Sequence, residues 1–192
     1  PPGRWSTEMA LNASPNCWNT DMDSLRPSRL RPMETRDLQQ VLGWRNHPEI
    51  RRHMYTQHPI SLEEHGRWFE KKSADPDYHL LVFEVDATPL GFINIHQIAS
   101  GGIADWGFYA APDAPKGTGR QLGQAALHYA FVTSGLHKLC GQVLAFNASS
   151  IKFHRNLGFT QEGILRQQHF DGQHYHDVVC FGLLASEWPS NS

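Results

Sequence analysis

Residues 106–131 read WGFYAAPDAPKGTGRQLGQAALHYAF, and residues 146–159 read FNASSIKFHRNLGF. An apolar run ends near Tyr109 and passes into a loop rich in proline and glycine, which opens a helical segment at Gly119. Leu122, Ala125, Ala126 and Tyr129 recur in that segment at helical spacing. Between Ala114 and Gln161 there is no Asp or Glu, while Lys116, Arg120, Lys138, Lys152 and Arg155 all fall inside. A glycine-rich turn at a helix N-terminus, in a basic segment free of acids, is suited to a polyanion. The backbone N–H groups of Gly117, Thr118, Gly119 and Arg120 form the predicted cradle, and Lys116 and Arg120 add charge. A plain loop-to-helix turn with solvated bases is the competing reading.

The whole chain narrows the choice. Its 192 residues are the length of one domain with a real core. Hydrophobic residues make up 40% and charged residues 19%, a globular balance. A formal net charge of -2 argues against a dedicated nucleic-acid binder, which carries a basic excess. Three scattered cysteines, Cys17, Cys140 and Cys180, form no Cys-x-x-Cys, so neither a disulfide framework nor a thiolate zinc site is expected. A reducing, cytoplasmic setting fits. No apolar run approaches a membrane span, and no signal-peptide core is seen near the start.

Residues 1–28, rich in Pro, Ser and Asn, read as a disordered tail, residues 29–185 as the folded domain, and residues 186–192 as a C-terminal tail. Arg29 to Met33 reads as a first strand, and Asp37 as the cap of a helix reaching about Asn46. Ser61-x-x-Glu64 is a capping-box pattern at the head of a second helix that carries Trp68 and Phe69. Leu80 to Val85, Leu90 to Ile98 and Ala104 to Tyr109, separated by turns, predict an antiparallel meander. A helix over 119–132, a strand over 139–146 and a short helix over 149–156 follow, with Gly158 just past the last. Thr160 to Phe170 and Tyr175 to Leu184 predict a hairpin around Asp171-Gly172. The order is β-α-α-β-β-β-α-β-α-β-β, an α/β (α+β) pattern.

The loop is no Walker P-loop, because no Lys follows the second glycine. Its Gly117-x-Gly119-x-x-x-Gly123 spacing also departs from a dinucleotide fingerprint, and the ribose-binding acid is missing. Strand, Gly-x-Gly loop and helix, strand, a short helix ending in Leu-Gly-Phe, and a last hairpin closely resemble the GNAT N-acetyltransferases. The resemblance spans about Arg29 to Leu184. It implies a mixed, mostly antiparallel seven-stranded sheet flanked by helices, with acetyl-CoA as co-substrate. The family motif [Gln/Arg]-x-x-Gly-x-[Gly/Ala] stands here as Ala114-Pro-Lys-Gly117-Thr-Gly119: both glycines match and the leading residue does not. By resemblance, the backbone of Phe108, Tyr109 and Ala110 would pair with the pantetheine arm, and Asn147 and Ser150 would flank its far end.

Two further stretches are similar to one branch of that family. Leu42-Gly-Trp44-Arg45-Asn46 precedes Ile50-Arg51 and Met54, and Glu162-Gly-Ile-Leu-Arg166 precedes the Asp-Gly hairpin and Tyr175-His176-Asp177. The branch holds ribosomal-protein N-terminal acetyltransferases. It also holds the enzyme that N-acetylates UDP-4-amino-4,6-dideoxy-N-acetyl-β-L-altrosamine in pseudaminic acid biosynthesis, which the chain resembles more. The expected acceptor is therefore a UDP-linked amino sugar. A protein N-terminal acetyltransferase and a non-catalytic acyl-CoA-binding module are the alternatives.

Acetyl transfer from a thioester needs a neutral amine, aligned reactants and a proton for the leaving thiolate. Alignment can supply roughly 7–11 kcal/mol, and a general acid about 10²–10⁴-fold. Where the family has Tyr-x-x-x-Gly-Phe, this chain has His154-Arg-Asn-Leu-Gly158-Phe159. The resemblance makes His154 the candidate acid, acting as imidazolium; a buried structural histidine is the other reading. Asp105 and His96 are candidate bases, each against the reading of an outward-facing strand residue. The acceptor side is assigned to Arg45, Met54, Tyr55, His65 and Trp68: a guanidinium for a diphosphate and flat faces for a base or deoxysugar. His174-x-His176-Asp177 puts two imidazoles on one strand face, but without a visible third ligand no metal is expected. A homodimer is left open.

Overall fold

Among the described residues, seven strands form one sheet in the order β1-β2-β3-β4-β5-β7-β6. The computed structural model describes residues 27–189; residues 1–26 of the N-terminal stretch and 190–192 lie outside them. Strands β1 (Ser28–Pro32), β2 (Tyr78–Val85), β3 (Thr88–Ala99) and β4 (Ile103–Ala110) make the antiparallel meander. Strands β5 (Lys138–Leu144), β6 (Thr160–Phe170) and β7 (Tyr175–Leu184) make the other half, with β7 antiparallel to both its neighbours. The two halves join through β4 and β5, which run parallel. Their pairing is short: Ile103 with Lys138, Ala104 with Leu139 and Asp105 with Cys140. Beyond that point the strands part, and Trp106 and Gly141 are the first residues past the fork.

Helices cover both faces, which is why β2 reads as a nearly continuous apolar run rather than an alternation. On one face lie α4 (Thr118–His128) and α5 (Ala148–Asn156). Leu122, Ala126 and Leu127 of α4 pack there with Leu81, Phe83, Ile93, Ile95, Trp106, Leu139 and Phe181. On the other face lie α1 (Leu38–Asn46), α2 (Pro48–Arg51) and α3 (Leu62–Ser73). Val41 and Trp44 of α1 pack with Leu80, Val82 and Phe92, and both Trp68 and Phe69 of α3 join them. Trp188, near the C-terminus, packs beside Phe131.

Three local features differ from the sequence expectation. Helix α2 is additional; Pro48 supplies its pre-set first position and the His47 side chain accepts from Glu49 N–H. Asp37 does not cap α1. It closes a 3₁₀ turn over Thr35–Asp37, its carboxylate accepting from Glu34 N–H at 2.8 Å. Helix α4 starts at Thr118, because Gly117 takes φ 94° and turns the chain into it. Directly after it, Tyr129–Thr133 forms a π-helical turn.

Candidate active site

The parting of β4 from β5 opens the sheet. A cavity of about 840 Å³ sits over this opening, walled by β4, α3, α5 and the segment from Arg45 to Ile60. Past Asp105, β4 still pairs with β3: Phe108 with Ile93, Tyr109 with Phe92, Ala110 with Gly91. Its other edge has left β5, so backbone groups there face the opening. Phe108, Tyr109, Ala110, Asn147 and Ser150 all line the cavity. Asn147 is the N-cap of α5: its Oδ1 accepts from Ser150 N–H at 3.1 Å and from Ser149 Oγ at 2.8 Å.

The glycine turn is reached only in part. Gly119 lines the cavity; Lys116, Gly117 and Arg120 are exposed outside its wall, and Thr118 is buried. Two of the four expected cradle donors are occupied within the turn. Thr118 N–H donates to Pro115 O at 3.2 Å, and Arg120 N–H donates to Gly117 O at 3.0 Å.

His154 lines the opening from α5 but is only 2% exposed. Nδ1 lies 2.8 Å from Ser150 O, and a carbonyl only accepts, so the ring proton is on Nδ1. Phe181 stacks on the ring at 5.0 Å, and Trp106 and Phe159 meet it edge-on. Burial pushes its pKa down, with the Ser150 bond opposing. The expected imidazolium is therefore corrected: at neutral pH the ring is neutral, because a charge among these aromatic faces has no solvent or anion beside it. Nε2 is buried without a partner among the described residues, as is Trp106 Nε1. A methyl group on Gly141 would lie 2.6 Å from the first and 3.1 Å from the second.

Asp105 lines the cavity on the opposite face of β4, and burial raises its pKa, with His96 opposing. His96 itself does not line the cavity. It stacks on Tyr78 at 4.0 Å, and its Nδ1 is 3.7 Å from Asp105 Oδ1.

All five acceptor-side residues come together. Arg45 Nη2 donates to Thr56 O at 2.8 Å, while Nη1 is buried without a partner among the described residues. His65 is buried and stacks on Trp68 at 5.0 Å and 13°. Burial and then the Arg45 charge lower its pKa, so it is neutral. Trp68 meets Phe92 edge-on at 6.0 Å. Met54 and Tyr55 complete the wall, and the Tyr55 hydroxyl donates to Gln142 Oε1 at 3.3 Å.

Gln142 and Asn94 were not foreseen as cavity residues. Each is an amide flanked by apolar residues in its strand, and that is the signal the sequence offers. Asn94 also fixes Gly107: a Cβ there would lie 2.6 Å from Asn94 Oδ1. In the last hairpin, His176 Nε2 is bound to Asp171 Oδ2 at 2.6 Å. Among the described residues, no group of three or more His, Cys, Asp or Glu is placed to hold a metal ion.

Residues 28–160 match the acetyltransferase (GNAT) domain. The chain belongs to the GNAT acetyltransferases and is an acetyl-CoA-dependent N-acetyltransferase. It is 31% identical over 129 residues to Acetyltransferase PseH of Campylobacter jejuni, covering 67% of this chain and 80% of that protein. It is 26% identical over 169 residues to Spermidine N(1)-acetyltransferase of Escherichia coli, covering 87% and 91%. The crystal structure of spermidine N-acetyltransferase from Vibrio cholerae in complex with CoA and spermine has a TM-score of 0.77 to it. That match is at 26% identity and covers 83% of this chain and 96% of that one. Among the described residues no helix is long and apolar enough to cross a membrane.

Proposed function

We propose that the protein transfers an acetyl group from acetyl-CoA to the 4-amino group of a UDP-linked amino-dideoxy sugar, as in the making of pseudaminic acid or a related nonulosonate. The observation that carries this reading is the division of polarity in the cavity. Its inner wall is apolar and aromatic, from Met54, Trp68 and Phe92, around the buried Nη1 of Arg45. Its carboxylates stand at the rim: the side chains of Glu49, Glu64 and Asp105 are 64%, 46% and 49% exposed. A guanidinium with an unused donor suits a diphosphate. A flat apolar wall suits a deoxysugar, whose methyl group makes no hydrogen bond.

In this reading the free edge of β4 at Phe108 to Ala110 takes the pantetheine arm, with Asn147 and Ser150 beside it. Lys116 and the turn from Gly117 to Arg120 take the pyrophosphate. Asp105, with His96 behind it, receives the proton of the amine. A polyamine acceptor is the second reading, and the same three rim carboxylates favour it. The edge of β6, unpaired among the described residues and with Ile164 and Leu165 exposed, supports a homodimer. The free thiols of Cys140 and Cys180 are in keeping with a cytoplasmic setting.

Thiol release from acetyl-CoA tests the acceptor, with UDP-4-amino-4,6-dideoxy sugars, spermidine, spermine and N-terminal peptides as a panel. Turnover with the nucleotide sugars is expected. Turnover with polyamines or peptides alone would move the acceptor to that class.

A further inference from the structure

His154 leaves the proton for the departing sulfur unaccounted for. Its one ring proton is engaged with Ser150 O, and its free nitrogen faces Gly141 and Trp106 with no exposed surface. A donor has to reach the fork from elsewhere. Strand alternation puts Asp105, Cys140 and Gln142 on one face of the sheet, the face away from α5. Gln142 lies two residues beyond the last β4–β5 pair, on the cavity wall. Tyr55 comes down from the segment after α2 onto that amide, hydroxyl to Oε1 at 3.3 Å, and lines the same cavity.

We propose that Tyr55 is the proton donor to the leaving sulfur, with Gln142 holding its hydroxyl over the fork. The 3.3 Å bond to a neutral amide is long, and an anionic sulfur is a far stronger acceptor. As the amine nitrogen bonds to the carbonyl carbon, the C–S bond breaks and its electron pair goes to sulfur. Sulfur takes the hydroxyl proton of Tyr55 and leaves as the thiol. The phenolate is restored by the proton that the acylated nitrogen gives up, through Asp105 or water. The net change is one proton moved from acceptor nitrogen to sulfur.

The surroundings of Tyr55 agree. His169 meets its ring edge-on at 5.1 Å, and Cys180 and Cys140 lie along the same strand face. Burial, with Cys180 adding to it, raises its pKa, so the phenol keeps its proton at neutral pH. Two other phenols line the cavity: Tyr109 tilts onto Phe92 at 5.3 Å, and Tyr78 stacks on His96 at 4.0 Å, both on the β3 side of β4.

The test is Tyr55→Phe with acetyl-CoA and with its selenoester analogue. A selenolate leaves without needing a proton, and the two molecules have nearly the same shape. With the thioester, kcat is expected to fall about 100-fold, with acetyl-CoA KM and calorimetric Kd for CoA within about twofold. With the selenoester, the gap between Tyr55→Phe and the unaltered protein is expected to close to within about threefold. A gap equal for both donors would make Tyr55 a positioning residue for the acceptor and overturn the proposal. So would unchanged kcat in Tyr55→Phe, or selenoester rescue of a His154→Phe variant instead. The step is common to any acceptor, so spermidine, a peptide or the slow transfer to water serves if the nucleotide sugar does not turn over.

Discussion

Asn46 holds Ile60 by both halves of its amide: Nδ2 donates to Ile60 O at 2.8 Å, and Oδ1 accepts from Ile60 N–H at 2.8 Å. Asn46 is the last residue of α1, and Ile60 immediately precedes Ser61, the cap of α3. The two bonds therefore close the segment that carries Met54 and Tyr55 over the cavity. Arg45, the neighbouring residue, adds a third tie to the same segment through Thr56 O.

Asn46→Ala is expected to loosen that closure. Two bonds of about 0.5–1.5 kcal/mol each are lost, and part of the loss is recovered by water at a partly open site. The acceptor KM should rise roughly tenfold, while KM for acetyl-CoA, which the proposed function places on β4 and the α4 turn, should hold. Steady-state kinetics varying each substrate in turn checks this. A parallel rise in both KM values would show that Asn46 serves the fold as a whole.

Gly141→Ala addresses the far side of the fork. The added methyl would meet His154 Nε2 at 2.6 Å and Trp106 Nε1 at 3.1 Å, both on rigid rings. Neither ring can swing away, because Phe181, Phe159 and Phe108 enclose them. Overpacking of this kind costs about 1–3 kcal/mol. A lower Tm and a changed ring environment for His154 in ¹⁵N NMR are expected. An unchanged Tm would mean that β5 shifts more freely than its pairing with β7 implies.

The sequence made the sheet and the turn into α4 legible for a physical reason. Apolar runs of strand length, the Gly117-x-Gly119 turn and the hairpin at Asp171-Gly172 are local signals, each confined to a few residues. Side-chain environments were not legible in the same way. His154 looks like an acid by its motif position, yet Phe181 and Trp106, distant in sequence, make it a neutral ring. Asp37 looks like a helix cap, but Arg31 and the Glu34 N–H claim it. Gln142 meets Tyr55 across 87 positions, a contact that only the folded sheet creates. Helix α2, four residues long, is too short for any period to show.

Arg31 joins two buried carboxylates. It is bidentate to Asp37, at 2.6 and 2.8 Å, and its Nε donates to Glu84 Oε1 at 2.6 Å. Burial alone would raise both acids, but the Arg31 bonds and, for Asp37, the Glu34 N–H outweigh it and hold both pKa values below ordinary. Groups depressed in the folded state stabilise it fully above their unfolded pKa values, about 3.9 for Asp and 4.3 for Glu. That stability is lost as pH falls through the folded values. Acid unfolding should therefore steepen below about pH 4. Asp37→Asn should cost roughly 3 kcal/mol at neutral pH and flatten that limb. Urea melts across pH 3 to 7 measure both.

The buried histidines set a second, higher window. Burial depresses both His154 and His65, and the Arg45 charge adds to the effect on His65. Folded values below the unfolded value of about 6.5 mean that the unfolded chain binds more protons in the interval. Stability from these groups is complete above about pH 6.5 and declines as pH falls below it. His154→Phe keeps a flat aromatic ring against Phe181 and removes the proton that would have to enter there. It gives up the bond to Ser150 O, at about 0.5–1.5 kcal/mol at neutral pH. Between pH 7 and pH 5 its Tm should fall less than that of the unaltered protein, so the two curves converge on the acid side. Parallel curves would mean that His154 takes up its proton in the folded state as readily as in the unfolded one, and the neutral, enclosed ring described above would be wrong.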